Sequence, residues 1–377
     1  MARRASKGTA DMMSGNVRLL VALAATTMVL LGPEAMAEPY LAIYKGMQCS
    51  SCHTHTAGGG MRTAYGNVFA QSELAARRMG DSNGDVWTGE MNKWLSVGAN
   101  LRGSYRFDDV PNSDSQGEFS VTRGTIYVEA RLIANRLSLY IDQQLAPNAS
   151  QNREAYLKFK GASGKSQFLA GQFYLPYGLR LQDDTAFVRQ VTGINFTNPD
   201  RGVQYSYESG PWSSQVSVTN GSGGGNEIDS GKQLSAVTNF VRQNWRIGGS
   251  INVNDADAGD RQMANIFAGV KTGPVVWLAQ ADWISDEIAD QEDQNGIAGY
   301  VEANWMIRKG QSLKFGYDYF DPDDDIDEDH QVRYSLVWEY NPMQFVQGRF
   351  GVRVYDGPPQ SDLANRDEFF AELHGFF

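Results

Sequence analysis

Val275-Val276-Trp277-Leu278-Ala279-Gln280-Ala281-Asp282-Trp283 sets Val275, Trp277, Ala279, Ala281 and Trp283 on one side of an extended chain, with Gln280 and Asp282 on the other. The next segment repeats the pattern: Ile297, Gly299, Val301, Ala303, Trp305 and Ile307 alternate with Tyr300, Glu302, Asn304 and Arg308. A period of two with one wholly apolar face marks strands, because successive side chains of a pleated chain point to opposite faces. Segments 95–107, 118–134, 137–146, 154–160, 166–174, 202–207, 212–218, 233–243, 245–254 and 262–271 fit the same template before these two, and 312–320, 331–340, 343–355 and 367–377 fit it after them. The tally is about 16, an even number without helical interruptions, as in bacterial barrels that cross a membrane.

The links between segments alternate in length. Long ones cover 108–117, 147–152, 175–200, 220–232, 255–261, 285–294, 321–329 and 356–365. Short turns fall around Asn135, at 161–165, 209–210, around Asn244, and at 272–273, 309–310 and 341–342. Long loops at one end and tight turns at the other are expected of a barrel with extracellular loops and periplasmic turns. A soluble β-sandwich accounts poorly for an apolar face on so many strands, whereas lipid outside and a polar lumen account for it directly. Arg123, Glu129, Arg131, Glu302, Arg308, Arg333, Glu339, Arg349 and Arg353 are then lumen candidates. The fold class read here is all-β: an antiparallel outer-membrane barrel over 93–377, preceded by a small segment over 38–92.

Composition agrees. Forty Gly, 17 Tyr, 18 Phe and 8 Trp with a mean hydropathy of −0.42 describe a polar, aromatic-rich β protein. Arg3, Arg4, Lys7 and Arg18, the apolar run 19–31 and Ala35-Met36-Ala37 read as a leader over 1–37 with an A-x-A cleavage site. Its removal takes four of 33 basic and two of 44 acidic residues, leaving a net charge of −13. That acidity gives no general attraction for nucleic acid.

Cys49-Ser50-Ser51-Cys52-His53 holds the only two cysteines of the 377 residues. The C-x-x-C-H form tethers a haem by two thioethers and ligates its iron through the histidine. A zinc site needs further ligands, and a redox dithiol would sit in a βαβ pattern. One covalent haem c is the reading, with His53 as proximal ligand. Met61 is the first choice opposite it, ahead of Met47, Met79, Met91, His55, His330 and His374; a methionine there raises the reduction potential. Tyr40, Leu41, Ile43 and Tyr44 ahead of the motif, and Tyr65, Val68, Phe69 and Leu74 behind it, are available to pack. So few residues bury too little surface to be secure alone, so the segment is expected to dock at or in the barrel mouth. Gly58-Gly59-Gly60 permits a tight turn or close approach of backbone.

Two acidic stretches invite metal readings. Asp81-Ser82-Asn83-Gly84-Asp85 begins like a calcium loop, but Val86 stands where that loop needs glycine and Asn92 where it needs glutamate. The stretch 321–329, with Asp323, Asp324 and Asp325, could draw a hard cation to the mouth or be a solvated loop.

A leader, one C-x-x-C-H and a barrel of about 16 strands together resemble the fused monohaem cytochrome-porins of the outer membrane, known chiefly from iron-oxidising bacteria. Phe173-Tyr174-Leu175-Pro176-Tyr177-Gly178 and the region to Asn220 also look like phosphate-selective-type porins. The first resemblance implies electron entry from an extracellular donor such as Fe(II) and delivery to a periplasmic c-type cytochrome. Two other expectations compete with it: a diffusion porin with a haem-bearing plug or sensor, and a haem-free structural barrel.

Overall fold

The computed structural model describes residues 39–79, 86–147, 150–194, 198–227, 229–257, 259–288 and 292–377. The expected leader and the calcium-like stretch 81–85 lie outside the described residues.

Alternation fixes the architecture. The barrel strands are β1 (Leu95–Asp109), β2 (Gln116–Ile133), β3 (Leu137–Ala146), β4 (Gln151–Lys160), β5 (Ser166–Phe173), β6 (Asp200–Ser209), β7 (Trp212–Thr219) and β8 (Gln233–Arg242). They continue as β9 (Trp245–Asn254), β10 (Gly259–Thr272), β11 (Val275–Ile288), β12 (Gln294–Arg308), β13 (Gln311–Asp321), β14 (Gln331–Met343), β15 (Val346–Asp356) and β16 (Asp367–Phe376). Each pairs antiparallel with its sequence neighbours, and β16 returns to β1 in a register running from Asp367↔Asp109 to Phe376↔Asn100. The ring of sixteen is therefore closed, with no free edge among the barrel strands. A three-residue strand, Glu90–Asn92, leads into β1.

The two faces separate as the sequence requires. On β11, Trp277 and Trp283 are 44% and 50% exposed, whereas Gln280 and Asp282 are 5% and 0% exposed. Outward Ile297, Val301 and Trp305 on β12 extend the apolar belt. Phe369, Leu373 and Phe377 at the final strand join it. Such a belt on a closed barrel is stable only against lipid. Of the proposed lumen residues, Arg123, Glu129, Glu302, Arg333, Glu339, Arg349 and Arg353 are buried inside, and Arg131 and Arg308 are half-buried near the turn end. Opposed strands knit the interior together: Asn265 Nδ2 on β10 donates to Asp282 Oδ1 on β11 at 3.0 Å.

One stretch departs from the expected layout. The 175–200 link is not simply an external loop; its 174–194 part folds inward and buries Leu179, Leu181, Phe187 and Val188, with a short helix over Phe187–Gln190. Apolar side chains in a long loop supply the reason, since exposed they would lose their burial energy. Leu179 N donates to Gln280 Oε1 at 2.7 Å and Phe187 N to Asp318 Oδ1 at 3.0 Å, so the loop caps polar wall groups. Gly178 has φ +56°, and a Cβ there would lie 2.7 Å from Gln280 Nε2.

Val301, midway along β12, faces the lipid. Val301→Arg is expected to cost about 2–4 kcal/mol of folding free energy into bilayers, the range for a cation at the membrane midplane. Denaturant titration of the barrel in lipid vesicles measures it.

Candidate functional site

The site begins with the 39–79 segment. Its first helix α1 (Pro39–Lys45) buries Tyr40, Leu41 and Ile43 against Phe267, Val276, Leu278 and Met306 of the wall. Those inward residues break the polar rule of the lumen and form an apolar seat. The helix α2 (Ala64–Phe69) follows the motif, capped by Thr63 Oγ1, which accepts from Gly66 N at 3.1 Å. A π-turn over Ala70–Leu74 ends it, burying Leu74 while Tyr65 faces outward.

The segment contacts inward side chains around most of the circumference, so it occupies the lumen. Met61 N donates to Tyr140 Oη on β3 at 3.0 Å, and Ser50 Oγ donates to Glu208 Oε2 on β6 at 2.6 Å. Arg246 Nη2 on β9 lies 3.5 Å from Cys49 Sγ. At the short-turn end, Lys309 Nζ donates to Ser72 O at 2.6 Å and Ala76 N to Asn341 O at 2.8 Å. The docking expected from the small size of the segment is what the fold provides.

Backbone bonds shape the motif locally. A 3-10 turn over Cys49–Ser51 lets Cys52 N and His53 N both donate to Cys49 O, at 3.1 and 3.0 Å. The chain then doubles back, pairing His53 with Arg62, while Thr54 N donates to Met61 O at 3.0 Å. Gly58, Gly59 and Gly60 form the tip with φ of +89°, +74° and +61°, a left-handed run that side-chain-bearing residues adopt only under strain. A Cβ on Gly60 would stand 2.7 Å from Tyr140 Oη. The triplet is a required turn pressed against the wall.

Cys49, Cys52 and His53 line one cavity of about 180 Å³ that opens to solvent. This is more room than a bare metal ion needs. Leu41, Gly58–Gly60, Leu179 and Phe267 form part of its surface. The two thiols are free of a disulfide. Burial, with Cys49 beside it, pushes the Cys52 thiol up to about 11, which disfavours the thiolate a redox dithiol needs. Burial, reinforced by Arg62, pushes the His53 imidazole down to about 3, so it is neutral, the form that ligates iron. Its buried Nδ1 has no hydrogen-bond partner. Two thiols, a neutral imidazole with an orphaned nitrogen and a roomy cavity fit the donor set of a tethered porphyrin.

The candidate second ligands are scattered. Met61 is buried among Tyr127, Tyr140, Tyr156 and Leu169, and shares with His53 a neighbouring cavity rather than the one lined by the cysteines. Among the described residues proposed for this role, Met47 alone lines the cysteine cavity. His55 packs edge-on to Tyr156 with ring centres 6.1 Å apart. His374 Nδ1 faces Gln347 Oε1 at 2.9 Å, His330 stacks on Tyr319, and Met79 and Met91 are exposed. Carboxylate oxygens of Asp323, Asp324 and Asp325 lie within 4.8 Å of one another, largely exposed, a geometry that solvated acidic loops share.

Asp183 and Asp184 in the inward loop were not among the sequence candidates. Asp183 meets Arg353 Nη2 at 3.0 Å and Arg333 Nη2 at 3.1 Å, and Asp184 meets Arg123 Nη2 at 2.6 Å and Arg189 Nη1 at 3.0 Å. Burial would raise the Asp183 carboxyl, but Arg353 and Arg333 overcome this and hold it well below the carboxylate range. Alternation had flagged Arg123, Arg333 and Arg353 as facing inward; no sequence signal marked the loop that reaches them.

No protein-family model matches the sequence, and no curated protein matches it. Solved structures do match in fold. OmpT of Vibrio cholerae, as expressed in the outer membrane, superposes with a TM-score of 0.58 at 13% identity over 76% of this chain and 99% of that one. The anion-selective porin from Comamonas acidovorans gives 0.60 at 9% over 75% and 99%. The outer membrane channel DcaP of Acinetobacter baumannii gives 0.56 at 12% over 75% and 97%. The barrel has the fold of these outer-membrane channels. Architecture and lipid-facing belt together put it in the bacterial outer membrane.

Gly60→Ala must accommodate both a positive φ and the Tyr140 hydroxyl, and is expected to loosen the segment by about 1–3 kcal/mol. Protease cleavage within 39–79 of the intact barrel reads this. Asp183→Asn takes one carboxylate from Arg333 and Arg353, which keep Asp318 and Glu368, and is expected to weaken loop docking by about 1–3 kcal/mol. Because the folded carboxyl is held low, its stabilisation is complete above pH ~4 and declines progressively below it. Loop proteolysis should therefore rise in the variant at pH 7, and in the wild type only in acid.

Proposed function

We propose that this protein is an outer-membrane electron-transfer protein bearing one covalent haem c in its lumen, taking electrons from an extracellular donor such as Fe(II) and passing them to a periplasmic c-type cytochrome. The observation that carries the reading is the shared cavity: the only two cysteines and His53 face one space inside a closed barrel, on a segment clamped near the short-turn end. Bound there, an iron porphyrin would supply reversible one-electron storage.

The chain's own residues account for the rest. Cys49 and Cys52 would take the two thioether bonds, and His53 the proximal iron position. The glycine tip lets backbone lie close to Cys49, since a Cβ on Gly58 would be 3.5 Å from Cys49 Cβ. The α1 seat and the inward loop supply apolar surface, and that surface limits water at the site. The lipid-spanning belt is ~25 Å tall, so a centre at one end of the lumen needs its donor to approach through the opening at the other end. A diffusion porin is the second reading, favoured by the porin-like fold; the segment and loop inside the lumen weigh against a wide open pore.

Redox spectroscopy of the purified full-length protein with Fe(II) added at neutral pH is the test. A covalent haem signal that survives denaturation, disappears in the Cys49→Ser/Cys52→Ser double variant and is reduced by Fe(II) is expected. Absence of the signal in wild type sinks the haem reading, and a signal that Fe(II) leaves oxidised sinks the donor. Met61→Leu and Met47→Leu assign the second ligand, because loss of a ligating methionine lowers the potential and loss of a packing methionine leaves it.

A further inference from the structure

Beside the cysteine cavity lies a second hollow of about 390 Å³ at the short-turn end, bordered by Asn135 and Arg136 of the β2–β3 turn and by Gly164 and Lys165 of the β4–β5 turn. His53 lines both, so this hollow leads from the turn end to the motif. Its described lining holds six Lys and Arg against three Glu, in a chain whose net charge is −11. The three carboxylates are engaged. Glu129 meets Lys158 Nζ at 2.5 Å, Glu90 meets Arg131 Nη2 at 2.8 Å, and Glu208 accepts from the Ser50 and Ser213 hydroxyls at 2.6 and 3.0 Å. Arg136, Lys160 and Lys165 are exposed, and among the described residues none of them has a carboxylate within ion-pair distance. They form one rim: Lys160 N donates to Arg136 O at 2.8 Å across neighbouring turns, and Lys165 stands in the same hairpin as Lys160, its Nζ donating to Ser209 Oγ at 3.1 Å.

Other exposed cations of this end sit differently. Arg242 lies over the Phe240 ring at 5.0 Å beside the exposed Trp212, and Lys93 over the exposed Trp94 at 5.0 Å, an aromatic border that suits phospholipid phosphates at the membrane edge. The rim of the hollow instead surrounds an opening into the lumen. The long-loop end is opposite in sign, with exposed Asp109, Asp255, Asp325, Glu328 and Asp356. A group of unanswered surface charges steers a protein of opposite charge and raises its encounter rate. We infer that Arg136, Lys160 and Lys165 form a docking rim for an acidic soluble protein at the short-turn end. A partner seated there covers the hollow that leads to His53. The dock stands on charge and position; that its occupant is the electron acceptor rests on the function proposed above.

Full-length protein is placed in phosphatidylcholine nanodiscs, which leave both barrel ends open to solvent. The probe is a small soluble c-type cytochrome whose lysines have been succinylated, which makes it acidic. Arg136→Gln/Lys160→Gln/Lys165→Gln is compared with Arg136→Lys, which keeps the charge, and with Arg242→Gln, which removes an equally exposed cation at the membrane edge. Wild type is expected to bind the probe with an association rate that falls as salt is added. The triple variant is expected to associate about tenfold more slowly, and the two single variants to stay within about twofold of wild type. No binding by wild type, equal binding by the triple variant, or an equal loss in Arg242→Gln overturns the dock. A triple variant that keeps its hold on the probe but loses stability in phosphatidylglycerol nanodiscs assigns the rim to lipid phosphate, and overturns it too. In porphyrin-bearing protein, transfer of one electron to the oxidised probe is expected to slow in step with association while the reduction potential stays constant. Binding that follows the rim without electron transfer, or without porphyrin in any preparation, upholds the dock while the electron-transfer reading alone falls.

Discussion

Every N–H and C=O that enters hydrocarbon must find a partner within the chain, and that single requirement organises this molecule. Sixteen strands meet it by closing on themselves, β16 against β1. Closure forces the side chains into two populations, one facing acyl chains and one facing a lumen. Once the outward population is apolar, the polar residues can only point inward, where they must neutralise one another or meet something else.

The lumen answers that demand unevenly. Arg333 against Asp318, and Lys314 and Arg349 against Glu339, form compact charge pairs on the wall. Asp183 and Asp184 descend from the inward loop to complete others. On one side the wall turns apolar, and α1 lies there. Near the cysteines the lining is cationic, with acids behind the wall answering Arg123, Arg153 and Lys45. The charge-paired and apolar regions assign different occupants to different parts of one interior.

Much of this is legible in the sequence. Trp277, Gln280, Asp282 and Val301 declared their faces because strand periodicity is local, and the strand count followed from turns that are equally local. The motif was legible for the same reason: five consecutive residues carry it. What escaped was everything that depends on distant partners. Val276 and Leu278 interrupt the polar side of β11, an interruption that acquires meaning only when Tyr40 and Ile43 arrive more than two hundred residues away in sequence. The 175–200 link reads as external until Arg333 and Arg353 are seen facing its Asp183. Gly58-Gly59-Gly60 allowed a turn or slack chain equally, and only the Tyr140 hydroxyl distinguishes them. Met61 showed a suitable side chain, but not the tyrosine cluster that holds it.

The seam of the ring has its own significance. Ala99 N and O exchange hydrogen bonds with Phe377 O and N, both at 3.1 Å, and the Phe377 ring meets Trp87 edge-on at 5.7 Å. Trp87 belongs to the stretch that joins the lumen segment to β1. The final residue therefore latches onto both the first strand and the tether leading inside. Phe377 thus serves two ends at once, and its removal would slacken the seam and the tether together.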